Sequence, residues 1–310
     1  MLQLDNNGQF RILILADIQE YRILNEESQR RIRQAILLTN PHFIVLLGDM
    51  IFGPLIPTRR RAERIIDSIL ALIETYRIPF AFVSGNHDKD AVMSFQKQIN
   101  MYKKSSLCLT PTISERECPD AYYLDVTDNQ GEASARLLFL DSGATKLSFS
   151  GLQYQPASEG QLQYTQSLLS NDACPPLFAF QHVPVPEIYQ LLDVVSADSK
   201  CAVKGNGPYK GKNLIMKETC HGIMGEAPCP PWKNAGQFDA WAKSGKVRAA
   251  VFGHDHKNAF DGVIDGIALL QTSCTGLHCY GKDELRGTRL LQISADGSFE
   301  HRVLFYRNMK

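Results

Sequence analysis

The sequence predicts an α/β fold built on a mainly parallel sheet flanked by helices. Two observations predict it. From Phe10 to Val83, apolar runs and amphipathic stretches alternate in the order strand, helix, strand, helix, strand. Each apolar run then stops at a residue with metal-binding chemistry, at the carboxyl end of a strand, where ligands collect in such sheets.

Phe10 to Ala16 is the first run and ends at Asp17. Asn25 to Asn40 is an amphipathic helix with Ile32, Ala35, Ile36 and Thr39 on one face, stopped by Asn40-Pro41. Phe43 to Leu47 is the second run and leads into Gly48-Asp49. Thr58 caps the next helix, whose Ile65, Ile66, Ile69, Leu70, Leu72 and Ile73 recur at helical spacing. Pro79 to Val83 leads into Gly85-Asn86-His87-Asp88. Further on, Tyr122–Val126 and Arg136–Leu140 pair around the turn Asp128-Asn129-Gln130-Gly131, and Glu159 to Leu169 is a helix. Leu177–Gln181 ends at His182, and Val247–Phe252 ends at Gly253-His254-Asp255-His256. Ala197 to Trp232 is rich in Gly, Pro, Lys and Asn and reads as a long functional loop. Gly266 to Phe305 reads as three short strands.

The 310 residues carry no net formal charge, and are 44% hydrophobic and 21% charged. That balance supports a sizeable core and gives no basic excess for long nucleic acid. With no repeat and no composition break, one domain over 1–310 is expected. The basic cluster Arg59-Arg60-Arg61 reads as a solvated helix face. The polar start and the lack of an apolar run near ~20 residues lead to the expectation of a cytoplasmic protein without a membrane span. The eight cysteines are scattered without a CxxC, so free thiols are expected. A structural zinc from Cys220, Cys229, Cys274 and Cys279 is the alternative.

Each polar residue at a strand end has an ordinary role available: a turn former for Asp17 and Asp49, a left-handed turn for Asn86, a satisfied histidine for His182. His254 and His256 form an H-x-H pair that projects to one side of an extended segment. Together, five strand ends carrying carboxylate, carboxamide and imidazole make the N and O donor set of Mn, Fe or Zn. One carboxylate, such as Asp49, can bridge two ions about 3.5–4 Å apart, and such a pair generates a hydroxide that attacks phosphorus at neutral pH.

The set Asp17-x-Gln19, Gly48-Asp49, Gly85-Asn86-His87-Asp88, His182 and Gly253-His254-Asp255-His256 resembles the calcineurin-like metallophosphoesterase superfamily, over about residues 10 to 305. Gly48-Asp49-Met50-Ile51, His182 to Glu187 and Gly253 to Asn258 resemble its purple-acid-phosphatase-like branch, including the dual-specificity or "inactive" yeast and plant members. The resemblance implies a four-layer α/β/β/α sandwich with two central mixed sheets. It implies that Asp17, Asp49 and His256 hold a first metal and that Asp49, Asn86, His182 and His254 hold a second. His87 would contact the phosphate together with Asn86 and protonate the leaving oxygen, with Asp88 orienting it.

Two departures bear on this. Gln19 stands where most of the superfamily has histidine; its carboxamide oxygen is the weaker ligand. Phe52 stands where true purple acid phosphatases place the tyrosine whose phenolate gives the colour, so no purple band is expected. His221 is a further candidate phosphate contact, and His278 and Tyr280 are pocket-lining candidates. The expected function is hydrolysis of a small phosphomonoester or phosphodiester by a hydroxide activated between two metal ions. The alternatives are a non-catalytic metal or phospho-ligand binder of the same fold, and a nuclease or cyclic-nucleotide phosphodiesterase.

Overall fold

The computed structural model describes residues 2–148 and 151–309. Strand Gln9–Leu15 shows why the chain layers as it does. Ile12 and Ile14 point to one side and Leu13 and Leu15 to the other, and all four are buried. A strand apolar on both faces needs cover on both.

Two mixed sheets provide it. The smaller runs in the spatial order Phe299–Phe305, Gly287–Ser294, Gln9–Leu15, Phe43–Leu47, Phe80–Val83, with the last three parallel. The larger has eight strands, and Ala133–Leu140, Leu177–Gln181, Val247–Phe252 and Ile267–Gln271 lie parallel at its centre. Ile14, Val45 and Val83 from the first sheet meet Phe139, Phe180 and Val251 from the second in a shared apolar layer. Helices Glu26–Thr39, Arg59–Glu74 and Phe95–Tyr102 cover the outer face of the smaller sheet. Helix Gln237–Ser244 covers the outer face of the larger one through the fully buried Phe238 and Trp241. Helix Glu159–Ser170 adds Leu169 to that layer. The architecture is α/β/β/α, as the resemblance implies.

The capping reading holds in detail. Thr58 accepts the Arg61 N–H, Asn25 accepts the Ser28 N–H, and Asn40 closes its helix in the left-handed region. Arg59, Arg60 and Arg61 are exposed.

The segment from 197 to 232 departs from expectation. It holds Val203–Lys204 and Asn213–Met216, which join Leu192–Val195 in a small antiparallel sheet, and His221–Met224, an edge strand of the large sheet. Strands of two to four residues are too short to show a period of two. Helices Phe95–Tyr102 and Gln237–Ser244 and strand Asn258–Ile264 are also additions to the sequence reading. Among the described residues no helix is long and apolar enough to cross a membrane. All eight cysteines are unpaired.

A buried ion pair fixes one loop beside the strand ends. Arg116 Nη1 lies 2.5 Å from Asp141 Oδ2, with both side chains almost wholly buried, and Asp141 Oδ1 accepts the Ser84 N–H at 2.7 Å. Breaking such a pair leaves a buried charge without a partner. Asp141→Ala is expected to lower the unfolding free energy by about 3–5 kcal/mol, read as a lower denaturant midpoint in equilibrium unfolding.

Candidate metal centre

The parallel strands of both sheets deliver their carboxyl ends to the same edge of the sandwich. Asp17 follows Leu15, Asp49 follows Leu47, Asn86 follows Val83, His182 follows Gln181 and His254 follows Phe252. The loops are stitched across: the Asp17 N–H donates to Gly48 O, the Gln19 N–H to Asp49 O and the Gly253 N–H to His182 O. Asp17, Gln19, Asp49 and His254 all have positive φ, at 53°, 46°, 53° and 74°. Non-glycine residues adopt that region at a cost, and they cluster here because each chain must turn sharply to keep its side chain in the shared space. Gly85 allows the closest approach, since a Cβ there would collide with the Asp49 carboxylate.

The side chains converge. His256 Nε2 lies 3.1 Å from Asp17 Oδ1, and His182 Nε2 lies 3.1 Å from Asp49 Oδ2 and 3.6 Å from Asp17 Oδ1. One donor atom each from Asp49, His182 and His254 falls within 4.8 Å of the others. The histidines are aimed from behind. His182 Nδ1 is 2.8 Å from Leu47 O, and His256 Nδ1 is 2.8 Å from Tyr280 O. A carbonyl only accepts, so both Nδ1 atoms carry hydrogen and both Nε2 atoms face the cluster. Tyr280 also stacks on the His256 ring, at 4.0 Å between centroids.

Buried polar atoms without partners are rare and need a reason. Asp17 Oδ1, Asn86 Oδ1 and His182 Nε2 make no hydrogen bond, and Asp17 Oδ1 and His182 Nε2 face one another at 3.6 Å across this space. Their lone pairs fit metal ions of the N/O-preferring class. Electrostatics give the same picture. Burial disfavours the His182 imidazolium, yet the Asp49 and Asp17 carboxylates lift its pKa to about 9. Burial also opposes the charge on Asp49, but His182, His87 and His254 hold it below the usual carboxylate range. Burial, then the proximity of His182, keeps His254 neutral with its pKa well below the ordinary value.

A model of calcineurin-like phosphoesterases matches residues 10–258. The chain belongs to the calcineurin-like phosphoesterase family. Among relatives, it is 25% identical to "Probable inactive purple acid phosphatase 29" of Arabidopsis thaliana over 91% of this chain and 75% of that protein. It is 24% identical to "Probable inactive purple acid phosphatase 28" of the same plant, over 91% and 74%. Among solved structures it shares its fold with a dimetal phosphatase from Danio rerio, with a TM-score of 0.57 and 17% identity over 96% of this chain and 99% of that one.

Within this phosphoesterase fold, three sequence-derived roles change. Asp88 does not face His87. Its carboxylate accepts the N–H groups of Asp49 at 2.7 Å, Met50 at 3.1 Å, Ile51 at 3.3 Å and Gly85 at 2.9 Å. It ties the two metal-bearing loops together, while burial and the adjacent Asp49 push its pKa up to about 8. The residue beside His87 is Asp90, with Oδ2 3.6 Å from Nδ1. Asn86–Lys89 is a helical turn, on which neighbours in sequence diverge and i, i+3 residues meet. Gln19 directs Nε2 to Asp49 Oδ2 at 3.1 Å, so it acts as a hydrogen-bond donor to the carboxylate. His221 is exposed on the edge strand, opposite Asp261. It lies three residues, about 10 Å, along that strand from the Met224–Asn258 pair at the site end, and is not brought to the cluster.

Phe52 meets the His87 ring edge-on at 4.7 Å, and Tyr154 meets His254 at 4.2 Å. Thr145 receives the Asn86 amide N–H at 3.1 Å, which leaves Asn86 Oδ1 turned inward. Tyr154 and Thr145 have no sequence signal, because they reach the site from loops without a motif. His278 bonds Glu20 at 2.8 Å.

Two outcomes are expected. Asp88→Asn keeps the shape but sets an amide NH2, which cannot accept, against backbone N–H groups that the second carboxyl oxygen now serves; it should cost about 1–3 kcal/mol and weaken metal retention, measured by denaturation and by metal analysis of the purified variant. His182 holds a proton below about pH 9 when no ion is present, and a ligand must release it. Metal uptake at pH 7 should therefore expel protons, with affinity rising as pH rises toward 9 and flattening above. Calorimetry in buffers of different ionisation heat measures this directly.

Proposed function

We propose that this chain is a metal-dependent phosphoesterase that hydrolyses a small phosphomonoester or phosphodiester at a two-ion centre. Asp17, Asp49 and His256 serve the first ion, and Asp49, Asn86, His182 and His254 the second. The observation that carries the reading is the convergence of buried carboxylates and imidazoles from both sheets around Asp49, several of their donor atoms making no hydrogen bond. Two ions of Mn, Fe or Zn held there would lower the pKa of a water molecule and offset the charge of a phosphate.

The protein's own groups do the rest. Asp49 Oδ1 accepts the His87 N–H at 2.8 Å, so the residue at the mouth is tied to the carboxylate at the centre. The His87 side chain is one-quarter exposed, whereas the ligand candidates are buried. Wedged between Phe52 and Asp90, it is the group placed to bind phosphate and to pass a proton to the leaving oxygen. The neutral overall charge favours a small substrate over long nucleic acid.

A second reading, a binding protein without turnover, draws support from the printed names of the plant relatives and from the orientation of Gln19. One experiment separates them. With aryl mono- and diesters and added Mn, Fe or Zn, the parent should turn over. His87→Gln should keep its metal while losing about 10²–10⁴ in kcat, and Asp49→Asn should lose both metal and activity. A parent that binds metal but hydrolyses nothing in the screen selects the second reading.

A further inference from the structure

The first-ion end is short of donors, since Gln19 offers its nitrogen to Asp49. Two sulfurs lie beside it. One donor atom each from His256, Cys274 and Cys279 falls within 4.8 Å of the others, and both cysteines are buried. Cys279 Sγ is 3.6 Å from the backbone oxygen of Asp17 itself. His256 decides what the cluster is for. Its Nδ1–H is committed to Tyr280 O, so Nε2, 3.1 Å from Asp17 Oδ1, is its single atom open to a cation. An ion held by this histidine and a sulfur is therefore the same ion that Asp17 faces.

The surroundings are built for sulfur. Arg286 is 4% exposed, and its Nη1 lies 3.3 Å from Cys279 Sγ and 3.4 Å from Cys274 Sγ. Its Nη1 also donates to Gly276 O and its Nη2 to Cys279 O at 2.8 Å, so the guanidinium pins the loop that carries Cys279 as well as lying against both sulfurs. The guanidinium therefore sets a fixed positive charge beside both sulfurs and holds Cys279 Sγ next to the Asp17 loop.

We infer that Cys279 supplies a thiolate donor to the ion at the Asp17–His256 end, with Cys274 and Arg286 as positioning residues, so that this end prefers a thiophilic ion such as zinc over manganese. The inference rests on the two-ion reading above. Thiolate, imidazole and carboxylate together are a donor set that zinc accepts and that manganese, which favours oxygen, does not reward.

Cobalt(II) is the probe, because a cobalt–thiolate bond adds a near-ultraviolet charge-transfer band to the visible ligand-field bands. The cobalt-loaded parent should show both. Cys279→Ser should lose the charge-transfer band, keep the ligand-field bands and weaken zinc relative to manganese by about tenfold or more. Replacing the exposed Cys201 by Ser should change neither. Ligand-field bands without a charge-transfer band in the parent would overturn the sulfur assignment and leave the phosphoesterase reading intact. Failure to bind cobalt at all would overturn both. If Cys279→Ser does not fold, cadmium–thiolate absorption in the parent decides instead: its appearance supports the assignment and its absence refutes it.

Discussion

Two carboxylates, Asp17 and Asp49, are buried at the line where two sheets meet, and the structure around them is arranged to make that burial tolerable. A carboxylate out of water needs compensating charge or donors. Here His182 sits between both, His256 faces Asp17, and the N–H groups of His254 and His87 donate to Asp17 and Asp49. Without an ion, the His182 imidazolium fills the place of a cation, its pKa lifted by the same two carboxylates against the effect of burial. The centre is thus assembled before metal arrives. Metal binding there would exchange a proton for an ion with little demand for rearrangement, which is what a site that must hold ligand geometry requires.

The supporting layer explains why the loops do not relax. Positive φ at Asp17, Gln19, Asp49 and His254 is costly, yet each loop is bonded to the next. Asp88 joins the Asp49 loop to the Gly85 loop through four N–H donors. Gly48 and Gly85 leave no room for a Cβ between those loops and His182. Strain in one loop is therefore held by bonds in its neighbours, and the donors keep their aim.

The strand ends were legible because they combine two strong signals: an apolar run that stops abruptly, and a polar residue whose type suits metal. Asp17, Asp49, His182, His254 and His256 lie within ion-pair or ligand distance of one another, and Asn86 opens the adjoining helical turn. What escaped depends on side-chain direction. Asp88 is adjacent to His87 in sequence, but a helical turn sends it away and brings Asp90 alongside. His221 lies in a segment without periodicity, and only its register against Asp261 places it on the edge strand, away from the cluster. The strands between 197 and 232 are two to four residues long and pair with each other, with Leu192–Val195 and with Asn258–Ile264, so no long apolar run marks them.

The two ends of the centre are unequal, and the inequality bears on what the protein can do. On the proposed assignment, the second-ion end would have Asn86, His182 and His254 with Asp49; Thr145 holds the Asn86 amide, Leu47 O holds His182 Nδ1, and the Asp17 carboxylate holds the His254 backbone N–H. The first-ion end would have Asp17 and His256, while Gln19 is occupied by Asp49. A hard ion bound there would depend on water for its remaining ligands and would exchange readily. A sulfur donor from Cys279 would instead hold a soft ion firmly and lower its residual charge, which also lessens its pull on phosphate oxygen. The identity of the first ion then sets the balance between retention and turnover. A chain with Gln19 and Cys279 can keep the family's fold and second-ion end intact while shifting that balance, without losing any of the five strand-end loops that define the centre.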